Sequence, residues 1–271
     1  MDLPIFIAVI AAAAMHAGWN SIIKVRLDPL LAMTMIAGGS ALLVLPTLPF
    51  VGWPARAGWT WLAASVTLHL FYYIALVEGY RRAEMSQLYP IARGGAPLLT
   101  VLVGIVLFGE TLTPLQTAAV VILGCGIMMI SLAGRRAGRG ADWTALGFGA
   151  ATAVLISAYT LVDGSGARAS GDPHSYAAAL FVIEGVPLAA YVAVTRGRAA
   201  WGAMRPHLWQ GLAGGALSVG AYWIAIWAMT RAPIPLVAAV RESSVLFAAA
   251  IAYFVLGERL LWPRVLACVM I

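Results

Sequence analysis

The chain alternates between long apolar runs and short polar connections. Ten apolar runs are candidates for membrane-spanning helices, and they cover residues 4–23, 29–51, 58–80, 86–108, 114–133, 143–163, 173–195, 208–230, 235–257 and 260–271. A helix needs roughly 20 apolar residues to cross the hydrocarbon core of a bilayer, and only the last run falls far short of this length. The pattern predicts an all-α polytopic membrane protein with ten transmembrane helices.

The connections between these runs are short and contain helix-breaking residues, as in Asp28-Pro29 and Asp172-Pro173. Short connections make neighbouring helices run antiparallel. The tenth run, residues 260–271, covers only about 18 Å of a ~30 Å hydrocarbon core at ~1.5 Å rise per residue. We expect this last helix to be truncated because a C-terminal tail is missing. The alternative is a helix that does not span the membrane.

Two stretches of the chain, residues 82–112 and 231–260, are copies of each other. The aligned pairs are Leu88 and Leu236, Arg93 and Arg241, Gly109 and Gly257, and Glu110 and Glu258. Further pairs extend the repeat: Asp28-Pro29 with Asp172-Pro173, Tyr72-Tyr73 with Tyr222-Trp223 and, more weakly, Trp19-Asn20 with Tyr159-Thr160. The pattern predicts five helices in residues 1–134 and five in residues 142–271. Because five is odd, the second repeat is inverted relative to the first in the membrane.

Composition supports a membrane protein without a large soluble part. Hydrophobic residues make up 62% of the chain and charged residues 10%, whereas soluble domains are about 45–50% apolar and about 25% charged. No basic segment precedes residues 4–23, so they are interpreted as a spanning helix rather than a cleavable signal peptide. The sequence contains no GxxxxGK[ST] phosphate loop and no metal-ligand motif. We therefore expect no cofactor, no metal site and no ATP-driven pumping.

The net charge of +6 follows the predicted loops. The loops from odd-numbered to even-numbered runs hold Lys24, Arg26, Arg81, Arg82, Arg135, Arg136, Arg139, Arg196, Arg198, Arg205, Arg259 and Arg264. The other loops hold only Arg56, Arg168 and Arg231. Cytoplasmic loops of membrane proteins carry the excess of basic residues, so the odd-to-even loops are predicted to be cytoplasmic and both termini outside. The charge reflects topology in a bacterial-type inner membrane, not a nucleic-acid partner.

Two short motifs at the ends of repeated helices resemble a known family. Phe108-Gly109-Glu110-Thr111-Leu112 and Leu256-Gly257-Glu258-Arg259-Leu260 resemble the EamA-type repeat of the drug/metabolite transporter superfamily. Pro97 fits the family's proline ahead of this motif, whereas the second copy has Val245 there. The resemblance covers essentially the whole chain and implies ten helices around a central solute cavity. Its ten-helix members include amino-acid exporters, among them one for aromatic amino acids.

Arg93 and Arg241 lie inside apolar runs, where a charge is costly and calls for an explanation. Arg93 is about 10 Å from the start of its run at ~1.5 Å per residue, and inversion places Arg241 at a similar depth from the other side. A functional interpretation is a pair of sites that attract a solute carboxylate. The structural alternative is that each arginine is paired with a nearby acid or caps backbone carbonyls.

Glu242 follows Arg241 directly in the sequence, roughly 100° further round the helix, so the two do not share a face. Glu242 is expected either to neutralise Arg93 across the helix interface or to contact a solute ammonium. Ser244 adds a hydroxyl on the same turn. Glu242 and Ser244 therefore extend the candidate solute site.

Aromatic and histidine side chains recur at helical spacing on the repeated helices. The candidates for a cavity wall are His16, Trp19, His69, Tyr72, Tyr73, Tyr89, Tyr159, Tyr222, Trp223 and Trp227. Such a wall suits aromatic or amphipathic solutes and attracts an ammonium group by cation–π interaction. The alternative is an interfacial belt of Trp and Tyr. His16, His69 and Glu184 are interpreted either as proton sites or as hydrogen-bonding groups between helices.

These features predict a secondary transporter, an exporter of amino acids or similar amphipathic metabolites that works by alternating access. The solute and the lipid bilayer are the expected partners, and one chain is sufficient, although a dimer is compatible with the sequence. The alternatives are a transporter of drugs, nucleotides or sugars, and an intramembrane enzyme or lipid-binding accessory protein. Glu184 with His69 is the best candidate acid/base pair for an enzyme.

Overall fold

The computed structural model describes residues 1–22, 27–82, 85–133 and 143–254, and it is helical through these ranges. The helices are α1 (Leu3–Ile22), α2 (Pro29–Val44), α3 (Gly58–Arg82), α4 (Met85–Phe108), α5 (Pro114–Ala133), α6 (Trp143–Ala169), α7 (Pro173–Met204), α8 (Leu208–Met229), α9 (Ile234–Arg241) and α10 (Ser244–Phe254). A 3₁₀ turn and a four-residue helix, Leu48–Val51, continue α2. The predicted all-helical architecture is confirmed for the described residues.

The two Asp-Pro pairs start helices in equivalent places of the repeats. Asp28 accepts a hydrogen bond from the Leu30 N–H, and Asp172 accepts hydrogen bonds from the N–H groups of His174 and Ser175. Each proline takes the first helical position, where its missing N–H costs nothing. The sequence pattern that predicted a turn is therefore an N-cap that sets where α2 and α7 begin.

α6 continues six residues beyond the end of the predicted run at Asp163. Gly164 and Gly166 are sites of close helix packing. A Cβ at Gly164 would lie 2.5 Å from Ile234, and one at Gly166 would lie 2.6 Å from the Tyr176 ring. The extension places Asp163 inside the helix rather than at its end.

The predicted ninth helix, residues 235–257, is interrupted, which corrects the prediction of one continuous span. Glu242 and Ser243 form a turn between α9 and α10. There the N–H groups of Glu242 and Ser243 donate to the carbonyls three residues earlier, in place of the four-residue spacing of an α-helix. The turn directs Glu242 towards Arg93 of α4, with which it forms an ion pair. The predicted tenth helix, residues 260–271, lies outside the described residues, as does Glu258.

The two repeats pack against each other rather than side by side. α1 and α2 contact α8, while α3 and α4 contact α6. Glycines let α2 and α8 approach closely, as the paired glycines of the sequence suggest: a Cβ at Gly39 would lie 2.5 Å from the Gly211 carbonyl oxygen, and one at Gly215 would lie 2.6 Å from the Ser40 nitrogen. Small residues allow such contacts in lipid, where no hydrophobic effect drives helices together.

The outer surface of the bundle is apolar. Phe50, Leu107 and Leu115 are 89%, 74% and 81% exposed, and seven helical segments among the described residues are long and apolar enough to cross a membrane. A surface of this kind is suited to lipid rather than to water. The chain is therefore an integral membrane protein.

Glu110, the glutamate of the first motif, connects the two repeats. It lies at the end of the bundle where α4, α6 and α8 terminate. Its carboxylate forms an ion pair with Arg168, which lies near the end of α6, and accepts a hydrogen bond from the Ile234 N–H at the start of α9. Arg168 also donates to the carbonyls of Met229 and Ala232. Glu110 thus joins α4, α6 and α9 and stabilises the positive end of the α9 helix dipole.

Candidate solute-binding cavity

A cavity lies between the two repeats, in the interior of the bundle. The cavity has a volume of about 80 Å³, which is room for several water molecules. The lining comes from α1, α2, α3 and α4 of the first repeat and from α6, α7, α8 and α9 of the second. The lining residues are His16, Trp19, Met33, Ile36, Ala37, Ser40, His69, Tyr72, Tyr73, Arg93, Tyr159, Phe181, Glu184, Ser218, Ala221, Tyr222 and Arg241.

Arg93 reaches the cavity from α4, and its charge is neutralised from across the helix interface. Its Nη2 lies 3.1 Å from a carboxylate oxygen of Glu242 and donates to Ser244 Oγ at 3.3 Å. The same nitrogen lies 3.0 Å from His16 Nε2. Arg93 and Glu242 are almost completely buried, so the pair satisfies two charges that would each be costly alone. The structural interpretation therefore accounts for Arg93 and Glu242.

Arg241 is buried to 3% exposure and has a different environment. Its guanidinium lies over the Tyr222 ring, 5.1 Å from the ring centroid. Among the described residues, no acid lies within ion-pair distance of it. A buried cation that faces a cavity attracts an anion strongly, because little water screens it. Arg93 and Arg241 occupy equivalent positions in the repeats, but only Arg93 is neutralised by an acid among the described residues.

One wall of the cavity is aromatic. His69 and Tyr159 stack with ring centroids 4.1 Å apart, and Tyr72 meets Tyr159 edge to face at 5.6 Å. The Tyr73 ring centroid lies 5.2 Å from that of Tyr72, and the Tyr222 ring centroid lies 6.3 Å from that of Tyr159. α3, α6 and α8 bring these rings together, as their equivalent positions in the two repeats suggest. Flat rings with hydroxyl tips offer apolar area and hydrogen bonds to a solute.

Two carboxylates adjoin this wall. Glu184 of α7 lines the cavity and accepts a hydrogen bond from the Tyr73 hydroxyl. Asp163 of α6 is completely buried behind the wall and accepts hydrogen bonds from the hydroxyls of Tyr222 and Tyr176. Each carboxylate therefore holds the hydroxyl of a tyrosine that lines the cavity.

The structure brings most of the predicted site residues to the cavity and places the others elsewhere. His16, Trp19, His69, Tyr72, Tyr73, Arg93, Tyr159, Tyr222 and Arg241 line it, and Glu242 and Ser244 lie behind Arg93. Trp223 and Trp227 do not line it. Trp223 donates to His174 and stacks on Phe181, while Trp227 lies against Arg231. Tyr89 belongs to α4, but its side chain lies outside the described part of the structure.

Two parts of the site have no recognisable signal in the sequence. The contribution of α2, from Met33 to Ser40, consists of small and apolar residues that look like any spanning helix. Asp163 was hidden because its position was assigned to the end of a span. Glu184 was visible as an acid in an apolar run and is placed by its contact with Tyr73. Within the described ranges, no cluster of His, Cys, Asp or Glu is arranged to hold a metal ion.

Comparison with known proteins agrees with this architecture. A solved structure titled "Crystal structure of protein" matches with a TM-score of 0.73 and 19% sequence identity, covering 98% of this chain and 92% of that chain. At this identity, the likeness shows the fold alone. No curated protein matches the sequence.

A family model described as the EamA-like transporter family matches the chain twice, over residues 3–132 and 144–271. The two matched regions account for nearly the whole chain, and each contains one copy of the glycine-glutamate motif. The protein therefore belongs to the EamA-like transporter family of the drug/metabolite transporter superfamily, and it is a membrane transporter of small solutes.

Proposed function

We propose that the transported solutes are amino acids, with aromatic side chains as the best fit, and that Arg241 holds the solute carboxylate. The observation that carries this proposal is the environment of Arg241, a buried guanidinium at the cavity with no acidic partner among the described residues. A guanidinium binds a carboxylate through two parallel hydrogen bonds, which fix the solute's orientation. Arg93 is less available for this role because Glu242 neutralises it.

The remainder of the cavity suits the other parts of an amino acid. Glu184 and the Tyr73 hydroxyl that it binds offer acceptors to an ammonium group. The rings of Tyr72, Tyr159 and Tyr222 offer an apolar and aromatic surface and a cation–π contact to the same ammonium. A solute with one carboxylate, one ammonium and a flat apolar side chain uses all three groups.

Transport by alternating access fits the interrupted helix beside Arg241. In many secondary transporters, discontinuous helices form the solute site at the interface between inverted repeats. Arg241 is the last residue of α9, directly before the turn that separates α9 from α10. A rearrangement of this turn therefore changes the position of the proposed carboxylate anchor. The odd-to-even loops are proposed to lie in the cytoplasm of a bacterial-type inner membrane, and export is proposed as the direction of transport.

The function is tested by flux into proteoliposomes that contain the purified full chain. The panel comprises amino acids, nucleotides, sugars and cationic drugs, and mass spectrometry of the recovered solute distinguishes transport from chemical conversion. We expect amino acids to be transported and recovered unchanged. Uptake of other panel members without any amino acid, or conversion of the solute, would contradict the proposal.

The role of Arg241 is tested with Arg241→Ala and a matched arginine outside the cavity. Hydrogen bonds to charged groups contribute about 1.5–3 kcal/mol, so Arg241→Ala should lower amino-acid uptake about 10- to 100-fold. Arg231→Ala is the control, because Arg231 is exposed and packs on Trp227. It should retain wild-type uptake. Equal uptake by the wild type and Arg241→Ala would remove Arg241 from the site.

A further inference from the structure

Asp163 is a buried carboxylate that solute recognition by Arg241 does not use. It lies in α6, six residues before the helix ends at Ala169, and has 0% of its surface exposed. This places it about 9 Å from the end of the helix at ~1.5 Å per residue. Among the described residues, no basic group lies within ion-pair distance of it. An intramembrane acid of this kind is costly and often marks a proton pathway.

The groups around Asp163 come from each neighbouring helix. Tyr176 of α7 donates to it at 3.0 Å, and Tyr222 of α8 donates to its other oxygen. Ser65 and His69 of α3 lie near it, and the Ser65 hydroxyl contacts the His69 ring. From α4, Arg93 is directed to Glu242 rather than to Asp163. From α9, Arg241 is separated from Asp163 by the Tyr222 ring.

This environment accommodates both charge states of the carboxyl group. The hydroxyl donors stabilise the anion, while burial favours the neutral form. Each donor is a hydroxyl that also accepts a hydrogen bond, so a protonated Asp163 keeps partners without rearrangement of the helices. A carboxylate fixed by an arginine would not have this freedom.

Two polar residues, His69 and then Ser65, lead from the cavity towards Asp163. His69 lines the cavity, and its Nδ1 lies 3.2 Å from Ser65 Oγ and 3.0 Å from the Ser65 carbonyl oxygen. The carbonyl only accepts, so Nδ1 carries the hydrogen in this arrangement. The Ser65 hydroxyl is then free to donate to Asp163. Nε2 is the ring nitrogen left for water in the cavity.

We propose that Asp163 is a proton-binding site of the transporter, loaded from the cavity through His69 and Ser65. A proton from cavity water bonds to Nε2 of His69, and the Nδ1 proton passes to Ser65 Oγ. The original Ser65 proton passes to a carboxylate oxygen of Asp163. The net result is one proton moved from water to the carboxylate, with the His69 ring left neutral in its other tautomer. Exchange of protons with cavity water restores the first tautomer.

Tyr222 links the proton site at Asp163 to Arg241. The coupling between the two rests on the proposed function, because it requires a solute carboxylate at Arg241. The proton site itself is independent of that proposal. The Tyr222 hydroxyl donates to Asp163, and its ring lies under the Arg241 guanidinium. A carboxylate bound at Arg241 adds a negative charge near Asp163, and a proton on Asp163 removes one. The two binding events therefore favour each other. An exported solute would leave with a proton and move down its own gradient.

The proton site is tested by infrared difference spectroscopy of the full chain in lipid, with pH as the only variable and no solute. We expect a carbonyl band of a protonated carboxyl group to appear as the pH is lowered. Asp163→Asn should remove this band, and Asp163→Glu should shift it. Glu78→Gln is the matched control, since it removes a carboxyl that is paired with Arg81 and Arg82 and is not a partner of Asp163, and it should retain the Asp163 band. A band that persists unchanged in Asp163→Asn and Asp163→Glu would overturn the proposal.

The proton path through Ser65 and the coupling between Asp163 and solute transport are tested by two separate measurements. After a pH jump, Ser65→Ala should slow the appearance of the Asp163 band, and an unchanged rate would overturn the path. Amino-acid flux in the wild type should change with pH by up to about tenfold per pH unit, the slope that one proton imposes, and Asp163→Asn should abolish this dependence. Retained pH dependence in Asp163→Asn would overturn the coupling. Absence of amino-acid flux in the wild type would instead refute the proposed function.

Discussion

At the scale of single residues, the two equivalent arginines show how far a sequence repeat determines chemistry. Arg93 and Arg241 could be identified from the sequence because each is a charge inside an apolar run. Their difference could not, because it depends on Glu242, which is adjacent to Arg241 in the chain but pairs with Arg93. The contact depends on the turn at Glu242 and Ser243, and no residue of the first repeat signals it.

The pair of Arg93 and Glu242 should show strong energetic coupling. Removing one partner of a buried ion pair costs about 3–5 kcal/mol, because the other charge remains unpaired. Arg93→Met and Glu242→Leu should each destabilise the protein by about this amount, measured by thermal unfolding in detergent. The double variant should lose less stability than the sum of the losses in the two single variants. Additive costs would show that the two side chains are independent.

Glu184 should discriminate between solutes with and without an ammonium group. Glu184→Gln keeps the size of the side chain and an acceptor for the Tyr73 hydroxyl but removes the charge. We expect it to raise the KM for an aromatic amino acid about tenfold, since a charged hydrogen bond contributes about 1.5–3 kcal/mol. The KM for the corresponding acid without an amino group should change little. Equal changes for both solutes would exclude a contact between Glu184 and the ammonium.

At the scale of helices, the starts of α2 and α7 were readable from the sequence, whereas the end of α6 was not. Asp-Pro is a local signal, so it marked both starts. The apolar run ends at Asp163, but the helix continues where Ile234 and Tyr176 pack against Gly164 and Gly166. Local signals thus mark helix starts, whereas the end of α6 depends on tertiary contacts. The misplaced end of α6 also concealed Asp163.

The close contact of α2 and α8 should make Gly39 intolerant of a side chain. A Cβ at Gly39 would overlap the Gly211 backbone, whereas one at Gly38 meets nothing within 4 Å. Gly39→Ala should therefore destabilise the protein by about 1–3 kcal/mol, the cost of overpacking. Gly38→Ala is the matched control and should be neutral or slightly stabilising. Thermal unfolding of both variants in one detergent provides the comparison, and equal melting temperatures would contradict the packing.

Glu110 should contribute to stability through the start of α9. Glu110→Gln weakens its contacts with Arg168 and the Ile234 N–H, and we expect a loss of about 1–2 kcal/mol, because Arg168 is partly exposed and screened by solvent. Glu78→Gln is the control, since Glu78 forms ion pairs with exposed Arg81 and Arg82. Exposed pairs contribute about 0–1 kcal/mol, so this variant should unfold close to the wild type. A larger loss in Glu78→Gln would contradict the assignment.

At the scale of the whole molecule, hydrophobic periodicity and the repeat predicted the architecture because both are properties of long stretches of chain. The repeat also indicated which helices line the cavity, since α3 and α8, equivalent in the two repeats, both bring aromatic rings to it. Which residues of α2 line the cavity, and why Trp223 does not, depends on the rotation of each helix about its own axis. The sequence does not show which of two adjacent aromatic residues, Tyr222 or Trp223, faces the cavity. About 100° of helix rotation separates the two.

The predicted orientation is tested with single cysteines in a variant that lacks Cys125 and Cys268. Arg56→Cys in the loop after α2 should react with a membrane-impermeant maleimide added outside intact cells. Arg205→Cys, between α7 and α8, should react only after the cells are opened. The reverse pattern would place the odd-to-even loops outside and contradict the predicted orientation.

The contact between Arg241 and the solute carboxylate is tested by changing the arginine and the carboxylate together. Uptake of phenylalanine and of phenethylamine, which lacks the carboxylate, is measured in proteoliposomes with the wild type and Arg241→Ala. The wild type should prefer phenylalanine about 10- to 100-fold, as expected for a charged hydrogen-bond pair, and Arg241→Ala should lose this preference. Retention of the full preference in Arg241→Ala would contradict the account.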